Sequence, residues 1–456
     1  MAERLVVIGG DAAGMAAASQ ARRRRDRTEL EIVAFERGHF TSYSACGIPY
    51  WVSGVVSERE QLVARDPATF RERFDIDVRL RHEVTAIDPE RREVVARDLA
   101  GGGQVRERYD VLMYATGATP VRPEWAADSI AGVFGVQTLD DGTALLDWLD
   151  REPRPRRAVV VGGGYIGVEM AEALLQRGLS VDLVEQADRP MATMDPDMAD
   201  LVLDALRRIG VGIRTGLTVT GLRERDGRVA AVVTPEGPIP ADVVVLGLGV
   251  RPNTALAEAA GLPLGPTGGV RTDRRMRVPG VTGVWAAGDC VETLHRVSGL
   301  PVHVPLGTHA NKQGRVAGIN IGGGYATFPG VIGTAVTKVC DLEVGRTGLR
   351  ERDALAAGFE FVSVIAESTS RAGYYPGARP MTVKLIAERS SGRLLGAQIV
   401  GWSEAAKRID ALAVALWNGM TVDEMTSLDL GYAPPYAPVW DPVLIAARKA
   451  VDALAR

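Results

Sequence analysis

The stretch Ala158-Val159-Val160-Val161-Gly162-Gly163-Gly164-Tyr165-Ile166-Gly167 decides the fold of this chain. Its first four residues form a continuously apolar run, which is typical of a parallel strand buried on both faces. The glycines that follow have the complete G-x-G-x-x-G spacing, and a helical pattern then covers residues 168–177. This order of strand, glycine turn and helix places backbone N–H groups and a helix N-terminus against a pyrophosphate. The stretch therefore predicts a dinucleotide-binding βαβ unit.

The acid after the next predicted strand indicates which dinucleotide binds. Residues 180–184 form this strand, and Glu185 follows it. A carboxylate here hydrogen-bonds the 2′-hydroxyl of an adenosine ribose and repels a 2′-phosphate, so we expect NADH. Arg189 lies close enough in sequence to keep NADPH as the alternative, and a surface acid at a strand end is the other interpretation of Glu185. The candidate NAD(P)H contacts of this unit are Gly162, Gly164, Tyr165, Ile166, Gly167, Glu185 and Gly249.

The same unit occurs once before, at the start of the chain. The apolar residues 5–8 lead into Gly9-Gly10-Asp11-Ala12-Ala13-Gly14, an Ala-rich helical stretch over residues 15–24, and a strand over residues 31–35 that ends at Glu36. Asp11 stands where the fingerprint usually has its second glycine, so this turn departs from the ideal pattern. The repeat indicates an internal duplication of a nucleotide-binding unit.

Each unit is followed by a β-rich segment and an apolar strand that ends in glycine, over residues 109–117 and 243–249. Residues 281–289 form a further strand that delivers an acid at a tight turn. Prolines at 120–123 and at 252 predict crossings between domains, because Pro cannot continue strand pairing. We therefore expect the second unit to be inserted within the first.

The character of the sequence changes at about residue 328. Short strand patterns at residues 334–337, 381–386 and 396–400 precede a helical pattern at residues 405–418, which predicts an α+β third domain. Prolines and aromatic residues in the stretch 430–436 predict a rigid, extended excursion.

Composition excludes several classes of protein. The 456 residues include 53 Lys and Arg and 57 Asp and Glu, and this net charge of −4 gives no reason to expect a nucleic-acid partner. The first residues lack the pattern of a signal peptide, and no apolar run approaches the roughly 20 residues that span a bilayer. Three widely separated cysteines cannot form a disulfide framework, so we expect a cytoplasmic protein without membrane segments. The sequence offers no candidate metal site.

One cysteine stands in an unusual setting, the stretch Thr41-Ser42-Tyr43-Ser44-Ala45-Cys46-Gly47-Ile48-Pro49-Tyr50. A lone Cys is often a small buried hydrophobe. The residues after Cys46 instead predict the first turn of a helix, where the helix dipole lowers the pKa of a thiol.

The two dinucleotide units, the Ala115-Thr116-Gly117 turn and the Ala287-Gly288-Asp289 turn resemble those of the FAD-dependent pyridine nucleotide–disulfide oxidoreductases. The resemblance covers essentially the full chain and implies an α/β fold with two Rossmann-like domains and an α+β dimerisation domain. The implied domains are FAD-binding at residues 1–120 and 251–327, NAD(P)H-binding at 121–250 and dimerisation at 328–456. The implied FAD contacts are Gly9, Ala12, Gly14, Glu36, Arg37, Thr116, Gly117, Asp289 and Ala310.

The solitary Cys46 decides the subgroup. Relatives of glutathione reductase carry two cysteines about five residues apart and a His–Glu base near the C-terminus. Here Cys290 and Cys340 are far from Cys46 in sequence, and all five histidines precede the third domain. The chain therefore resembles the single-cysteine group of coenzyme A-disulfide reductases, NADH oxidases and NADH peroxidases. The oxidase and peroxidase pattern has a His in the first glycine turn, where this chain has Ala12.

Coenzyme A-disulfide reductases bring tyrosines from the partner subunit of a homodimer to the active site, and Tyr374 and Tyr432 match that pattern. Packed core aromatic residues are the plainer interpretation of both. The resemblance implies substrate contacts at Gln20, Arg23, Ser42 and Tyr436, although a solvated helix face also explains the arginines. Trp440 stands where the group often has Lys, and Ala45 replaces a common polar residue.

The implied reaction passes electrons from NAD(P)H through FAD to Cys46 and on to a small-molecule disulfide, with coenzyme A disulfide as the expected substrate. Three alternatives stay open. One is an NADH oxidase or peroxidase that uses a Cys46 sulfenic acid, and one is a persulfide reductase. The third, of a different class, is a flavin-dependent redox sensor. A ferredoxin reductase of similar architecture would have no use for Cys46.

Overall fold

A computed structural model describes residues 2–126 and 130–456. Its first unit is a parallel five-stranded sheet, which confirms the predicted Rossmann-like fold at the N-terminus. In spatial order its strands are Val284–Ala286, Val111–Tyr114, Glu3–Ile8, Leu30–Glu36 and Ile76–Leu80. The helices of this unit are Ala12–Arg22, Ile48–Ser53, Pro67–Phe74, Ala255–Ala259 and Gly307–Ile321.

The helices Ala12–Arg22 and Gly307–Ile321 pack closely because glycines line their contact. A Cβ at Gly314 would collide with the carbonyl oxygen of Ala13, and one at Gly318 would collide with that of Ala17. The absence of these side chains lets the two backbones approach each other. The residues that precede both helices therefore meet at one edge of the sheet.

The second unit is another parallel five-stranded sheet, as the duplication predicts. In spatial order its strands are Gly212–Arg214, Ser180–Val184, Arg157–Val161, Val243–Leu246 and Val133–Phe134. Its helices are Leu139–Leu149, Tyr165–Gln176 and Pro196–Arg208.

Both glycine-turn helices begin earlier than the sequence pattern predicts. The first begins at Ala12 instead of residue 15, and the second begins at Tyr165 instead of residue 168. The last residues of each fingerprint form the first helical turn, since helical backbone begins directly after Asp11 and Gly164 in extended conformation. Apolar periodicity alone does not detect this turn.

Small antiparallel pieces connect and extend the two parallel sheets. Each unit carries a three-stranded antiparallel sheet, and the two crossings between the units pair with each other as the strands Ala118–Pro120 and Val250–Pro252. The antiparallel sheets consist of His82–Asp88, Glu93–Asp98 and Gln104–Arg108, and of Gly221–Arg225, Arg228–Thr234 and Gly237–Pro240. The paired crossings agree with a second unit inserted within the first.

The C-terminal unit is α+β, as predicted, with an antiparallel five-stranded sheet. In spatial order its strands are Ala335–Val339, Leu342–Gly348, Leu394–Gly401, Pro380–Glu388 and Phe361–Thr369. Its helices are Glu351–Ala356, Ala405–Trp417, Val422–Thr426 and Pro442–Leu454. Within the described residues, the structure holds no helix long and apolar enough to traverse a bilayer.

A buried lysine joins the C-terminal unit to the second parallel unit. Lys384 has a side chain that is 1% exposed, and its Nζ lies 2.7 Å from a carboxylate oxygen of Asp197 and 3.3 Å from one of Asp195. Glu351 contributes a third carboxylate at 2.8 Å. Removing the amine would leave the buried carboxylate of Asp195 and its two partly exposed neighbours without their cation, so this cluster fixes how the two units pack.

Candidate active site

The first glycine turn forms a narrow cradle at the carboxyl edge of the first sheet. Gly9 has a φ of +106°, and a Cβ there would collide with the carbonyl oxygen of Ala115. A Cβ at Gly14 would collide with the carbonyl oxygen of Gly9. Only glycine fits either position, and the helix that begins at Ala12 directs its N-terminus towards the turn. These residues fit the pyrophosphate of a dinucleotide.

Glu36 lies beside this turn, as predicted for an acid that contacts ribose. Its Oε2 accepts the backbone N–H of Gly10 at 2.8 Å, and its Oε1 accepts that of Gly38 at 2.7 Å. Glu36 and Arg37 also line a cleft of about 460 Å³ between the first and second units. Two backbone donors hold the carboxylate at the wall of that cleft.

The remaining residues predicted to contact FAD converge on the same edge. Thr116 donates its hydroxyl to the carbonyl oxygen of Asn253 at 2.7 Å, and Gly117 has a φ of +67°. Asp289 follows a glycine whose N–H is accepted by Gln313, and burial raises the pKa of its carboxyl group. Ala310 is buried in the first turn of the helix Gly307–Ile321. Their roles towards FAD stay predictions.

The second glycine turn repeats the geometry of the first. Gly162 has a φ of +100°, and a Cβ there would collide with the carbonyl oxygen of Gly247. Gly167 packs against the carbonyl oxygen of Gly162 in the same way. Glu185 accepts the backbone N–H groups of Gly163 at 2.6 Å and Ala187 at 2.8 Å.

Other residues predicted to contact NAD(P)H surround this turn. Gly164 has open space where a Cβ would stand, which leaves room for a ligand to approach the backbone. Tyr165 and Ile166 begin the helix, and the Tyr165 hydroxyl accepts a hydrogen bond from Arg346 at 3.0 Å. Gly249 ends the loop after the strand Val243–Leu246 with a φ of +83°.

Cys46 lies in a 3₁₀ turn, Ala45–Gly47, that leads directly into the short helix Ile48–Ser53. Hydrogen bonds attach the preceding loop to the first glycine turn. The Thr41 hydroxyl and the Ser42 N–H both donate to the carbonyl oxygen of Gly10, and the Tyr43 N–H donates to Asp11 at 3.2 Å. The fold thus connects Cys46 to the predicted flavin site through a hydrogen-bonded loop.

The prediction of a lowered thiol pKa at Cys46 is wrong for this chain. Cys46 is exposed, yet desolvation by the surrounding protein raises its pKa, and the carboxylates of Glu169 and Asp289 raise it further. A backbone hydrogen bond at Cys46 lowers the pKa but does not offset these effects. A positive charge or a proton acceptor close to Cys46 would favour the thiolate.

Glu169 is a residue near the site that the sequence patterns do not reveal. It follows the second fingerprint by two residues, and it reaches Cys46 because the helix Ile48–Ser53 packs against the helix Tyr165–Gln176. Arg177 fixes this packing through a hydrogen bond to the carbonyl oxygen of Val52 at 2.5 Å. Burial raises the pKa of Glu169, and its Oε1 accepts the Thr337 hydroxyl at 2.6 Å.

The other cysteines do not form a disulfide with Cys46. All three are free thiols, as the solitary position of Cys46 predicts. Cys290 is buried, and desolvation raises its pKa to about 11. The backbone N–H of Cys340 donates to Glu172 at 2.7 Å, and burial together with that carboxylate raises the pKa of its thiol to about 11.

Tyr374 and Tyr432 lie side by side on the surface of the C-terminal unit. Slight desolvation and the hydrogen-bonded Tyr432 hydroxyl raise the pKa of Tyr374. Tyr374 is 78% exposed and Tyr432 is 49% exposed, so neither is a packed core residue in the single chain. Other exposed apolar residues in the same two segments are Tyr375, Tyr436, Val439 and Trp440. A patch of this kind marks an interaction surface.

Two of the four predicted substrate contacts, Gln20 and Arg23, lie at the C-terminal end of the first helix. Gln20 accepts a hydrogen bond from Arg24 at 3.2 Å, and Arg22 donates to backbone carbonyl oxygens of the segment Phe74–Asp75. Within residues 2–126 and 130–456, by contrast, the guanidinium of Arg23 makes no hydrogen bond or ion pair. Ser42 has a φ of +51° in the cysteine loop, whereas Tyr436 lies in the C-terminal unit. In the single chain, Gln20 and Arg23 therefore lie at one end of the first helix, Ser42 lies near its other end, and Tyr436 belongs to a separate unit.

Comparisons with known proteins agree with this geometry. A family described as pyridine nucleotide-disulphide oxidoreductase matches residues 3–314, and the dimerisation domain of that family matches residues 334–442. The chain belongs to this family. It is an oxidoreductase that uses FAD and a nicotinamide dinucleotide, and the residues of both glycine turns fit those groups.

Three relatives show how much of the chain is shared. The NAD(P)H coenzyme A polysulfide/persulfide reductase of Pyrococcus horikoshii is 38% identical over 98% of each chain. The coenzyme A disulfide reductase of Staphylococcus haemolyticus is 29% identical over 98% of this chain and 99% of its own. The structure of an NAD-dependent persulfide reductase from A. fulgidus has a TM-score of 0.94 at 42% identity, and it covers 99% of this chain and 83% of its own.

Proposed function

We propose that the protein reduces a small-molecule disulfide through Cys46 and that coenzyme A disulfide is the substrate. Residues 1–120 and 251–327 bind FAD, residues 121–250 bind NAD(P)H, and residues 328–456 form a homodimer interface. The observation that carries the proposal is the loop around Cys46, which is hydrogen-bonded to the first glycine turn through Gly10 and Asp11. No second cysteine pairs with Cys46, so its disulfide partner is a diffusible molecule.

The dinucleotide that we propose is NADH. Both oxygens of Glu185 accept backbone N–H groups, so its negative charge is fixed at the ribose position and repels a 2′-phosphate. Arg189, the residue that favoured NADPH, forms an ion pair with Asp200 at 2.5 Å. A 2′-phosphate would need the guanidinium of Arg189 as its partner, but this group is already paired with Asp200.

The proposed reaction is NADH + H⁺ + RSSR → NAD⁺ + 2 RSH. FAD held at the first glycine turn would supply the chemistry that takes a hydride from NADH and delivers an electron pair to the disulfide. Cys46, as the thiolate, attacks one sulfur of the substrate, so a mixed disulfide forms and the first RS⁻ leaves. The electron pair then breaks the mixed disulfide and regenerates the Cys46 thiolate with release of the second RS⁻. One of these thiolates takes the proton from solvent, and the other takes the proton released by NADH oxidation.

The tyrosines supply the hydrogen bonds that the leaving thiolate needs. Tyr374 and Tyr432 are exposed and hydrogen-bonded to each other in the single chain. In the proposed homodimer this pair comes from the partner subunit and lies over Cys46, with Tyr432 as the donor to the leaving sulfur. The exposed aromatic residues around the pair support such an interface.

A second candidate substrate is coenzyme A persulfide. The relatives named as persulfide reductases are 38% and 42% identical to this chain, whereas the Staphylococcus relative named as a disulfide reductase is 29% identical. The same thiolate attack would release sulfide, according to CoA-SSH + NADH + H⁺ → CoA-SH + H₂S + NAD⁺. Gln20, Arg23 and Ser42 would bind the coenzyme A moiety in both reactions.

Anaerobic turnover of the holoenzyme tests the proposal. With coenzyme A disulfide, we expect two thiols per NADH oxidised and no sulfide. The variant Cys46→Ser should keep its FAD and its reduction by NADH but lose disulfide turnover by at least about 100-fold, because the attacking thiolate is gone. Full disulfide turnover by Cys46→Ser would refute the role of Cys46. Sulfide release from the persulfide alone would favour the second substrate, and NADH oxidation that requires oxygen and yields no thiol would favour an oxidase.

A further inference from the structure

Asp11 occupies an unusual place in the first glycine turn, where the fingerprint has its second glycine. Although Asp is a good helix N-cap, its side chain makes no capping hydrogen bond to the helix Ala12–Arg22 that it precedes. Its Oδ1 instead accepts the backbone N–H of Tyr43 at 3.2 Å, across 32 positions of sequence. Tyr43 stands three residues before Cys46, so the carboxylate holds the loop that carries the redox cysteine.

The rest of this loop is held by its backbone and by Thr41. The Thr41 hydroxyl and the Ser42 N–H donate to the carbonyl oxygen of Gly10 on one side. On the other side, the N–H of Ser44 donates to Leu62 at 2.8 Å. Ser42 has a φ of +51°, and a left-handed conformation is unfavourable for a non-glycine residue, so the surrounding contacts must offset it. The loop is therefore held in a conformation that it would not keep alone.

The ionised carboxylate of Asp11 is unfavourable at its buried position. Burial raises its pKa to about 6, and the carboxylates of Glu36 and Asp289 raise it further, while the hydrogen bond from Tyr43 lowers it. A glycine in this position would avoid that cost and match the fingerprint. The hydrogen bond to the cysteine loop is the interaction that explains why an acid stands here.

We infer that Asp11 is a positioning residue for Cys46, because its carboxylate ties the cysteine loop to the glycine turn and so fixes the sulfur relative to the flavin site. The inference rests on the proposed role of Cys46. It assigns a specific task to the residue that departs from the dinucleotide fingerprint. The hydrogen bond from Tyr43 needs only an oxygen acceptor at position 11, whereas the negative charge needs a carboxylate. An amide at this position therefore separates the two contributions.

The test measures how fast iodoacetamide alkylates Cys46 in the oxidised holoenzyme, with the modified peptide quantified by mass spectrometry at neutral pH. In Asp11→Ala the loop loses its side-chain acceptor, and we expect alkylation to be about five-fold faster because the thiol becomes more accessible. Asp11→Asn keeps an oxygen acceptor without the charge, and its rate should stay within about two-fold of the unmodified protein. Thr41→Val removes the neighbouring hydroxyl and should give an intermediate rate.

A kinetic ratio provides a second readout that a general loss of structure would not give. Ferricyanide takes electrons from reduced flavin directly, so NADH-dependent ferricyanide reduction does not need Cys46. We expect the ratio of disulfide turnover to ferricyanide turnover to fall about five-fold in Asp11→Ala and to recover in Asp11→Asn. Equal behaviour of the Asn and Ala variants, or of the Ala variant and the unmodified protein, would overturn the inference. Disulfide turnover by Cys46→Ser would refute the proposed function but leave the alkylation comparison intact.

Discussion

The two glycine turns of this chain are nearly superimposable in their chemistry. Each has a glycine with φ near +100° at the strand end, and each has a later glycine packed on the carbonyl oxygen of the first. In each turn a glutamate accepts two backbone N–H groups, with Glu36 bonded to Gly10 and Gly38 and Glu185 bonded to Gly163 and Ala187. A duplicated unit has thus kept its dinucleotide cradle at both sites.

The turns differ at the position of the second fingerprint glycine. Gly164 has open space around it, whereas Asp11 fills that space with a carboxylate bonded to the cysteine loop. An open turn suits a dinucleotide that must enter and leave in every cycle. A turn that also anchors a redox loop suits a dinucleotide that stays bound, since both partners of the electron transfer then keep a fixed separation. Under the proposed assignment of FAD to the first turn and NADH to the second, this one fingerprint position separates the cofactor that stays bound from the one that exchanges.

The largest effect is expected from substitutions that disrupt one glycine turn and leave the other intact. Gly162→Ala puts a Cβ against the carbonyl oxygen of Gly247 at a φ of +100°, which costs on the order of 1–3 kcal/mol in strain before any clash. We expect the variant to keep FAD but to slow flavin reduction by NADH about 100-fold, as measured by anaerobic stopped-flow absorbance. Gly9→Ala should instead yield protein that lacks FAD.

The control for this pair is Gly164→Ala, where the new Cβ meets nothing in the protein. The added methyl group only narrows the space in which the pyrophosphate of NADH approaches the turn. KM for NADH should therefore rise about ten-fold while the second unit stays folded. Loss of FAD from Gly162→Ala, or normal reduction by NADH in that variant, would contradict the independence of the two cradles.

A smaller effect is expected from the two matching glutamates. Glu185→Gln keeps one acceptor oxygen for the backbone but removes the charge that repels a 2′-phosphate. We expect the ratio of kcat/KM for NADPH to that for NADH to rise about ten-fold, which corresponds to about 1.4 kcal/mol. Glu36→Gln should leave this ratio unchanged and weaken FAD retention instead.

Arg189→Ala serves as the matched control for nucleotide choice. Because Arg189 is paired with Asp200 at 2.5 Å and is exposed, its removal should change the ratio by less than about two-fold. A clear preference of the unmodified protein for NADPH would refute the role assigned to Glu185.

Local sequence patterns were enough to predict most of the architecture. The apolar runs before Gly9 and Gly162, the acids Glu36 and Glu185, and the prolines at the crossings all gave the correct order of sheets, because each signal lies within a few residues of the element that it marks. Tyr374 and Tyr432, which the resemblance singles out, are neighbours on the surface, and their catalytic role stays a prediction.

The electrostatics of the cysteine site could not be predicted in this way. Desolvation raises the pKa of Cys46 most, and Glu169, which lies 123 positions later in the sequence on a helix of the other unit, raises it further. The bond between Asp11 and Tyr43 likewise joins separate elements. Helix periodicity reports which face of a helix is apolar, but it does not report which helix packs on which loop.

The smallest expected effect concerns stability at Asp11, where the two turns differ. Its folded pKa of about 6 lies above its ordinary value of 3.8, so ionisation costs stability once the pH rises above the ordinary value. The full shift corresponds to about 3 kcal/mol, and after a discount for partial exposure we expect Asp11→Asn to be more stable by about 1 kcal/mol at about pH 8. The advantage should fall to roughly half at about pH 5 and vanish below about pH 4, where the acid is protonated in both states.

Urea unfolding of both proteins with FAD in excess measures this difference. A bound dinucleotide adds negative charge near Asp11 and shifts its pKa in the same direction, so the sign of the effect does not depend on occupancy. The groups that face Asp11, which are Glu36, Asp289, Tyr43 and Cys46, are unchanged in the variant and cancel in the comparison. An Asn variant that is less stable at about pH 8 than at about pH 5, relative to the unmodified protein, would mean that the carboxylate stabilises the turn as an anion. Asp11 would then resemble the two glutamates, and the contrast between an anchored turn and an open one would have to rest on its hydrogen bond to Tyr43 alone.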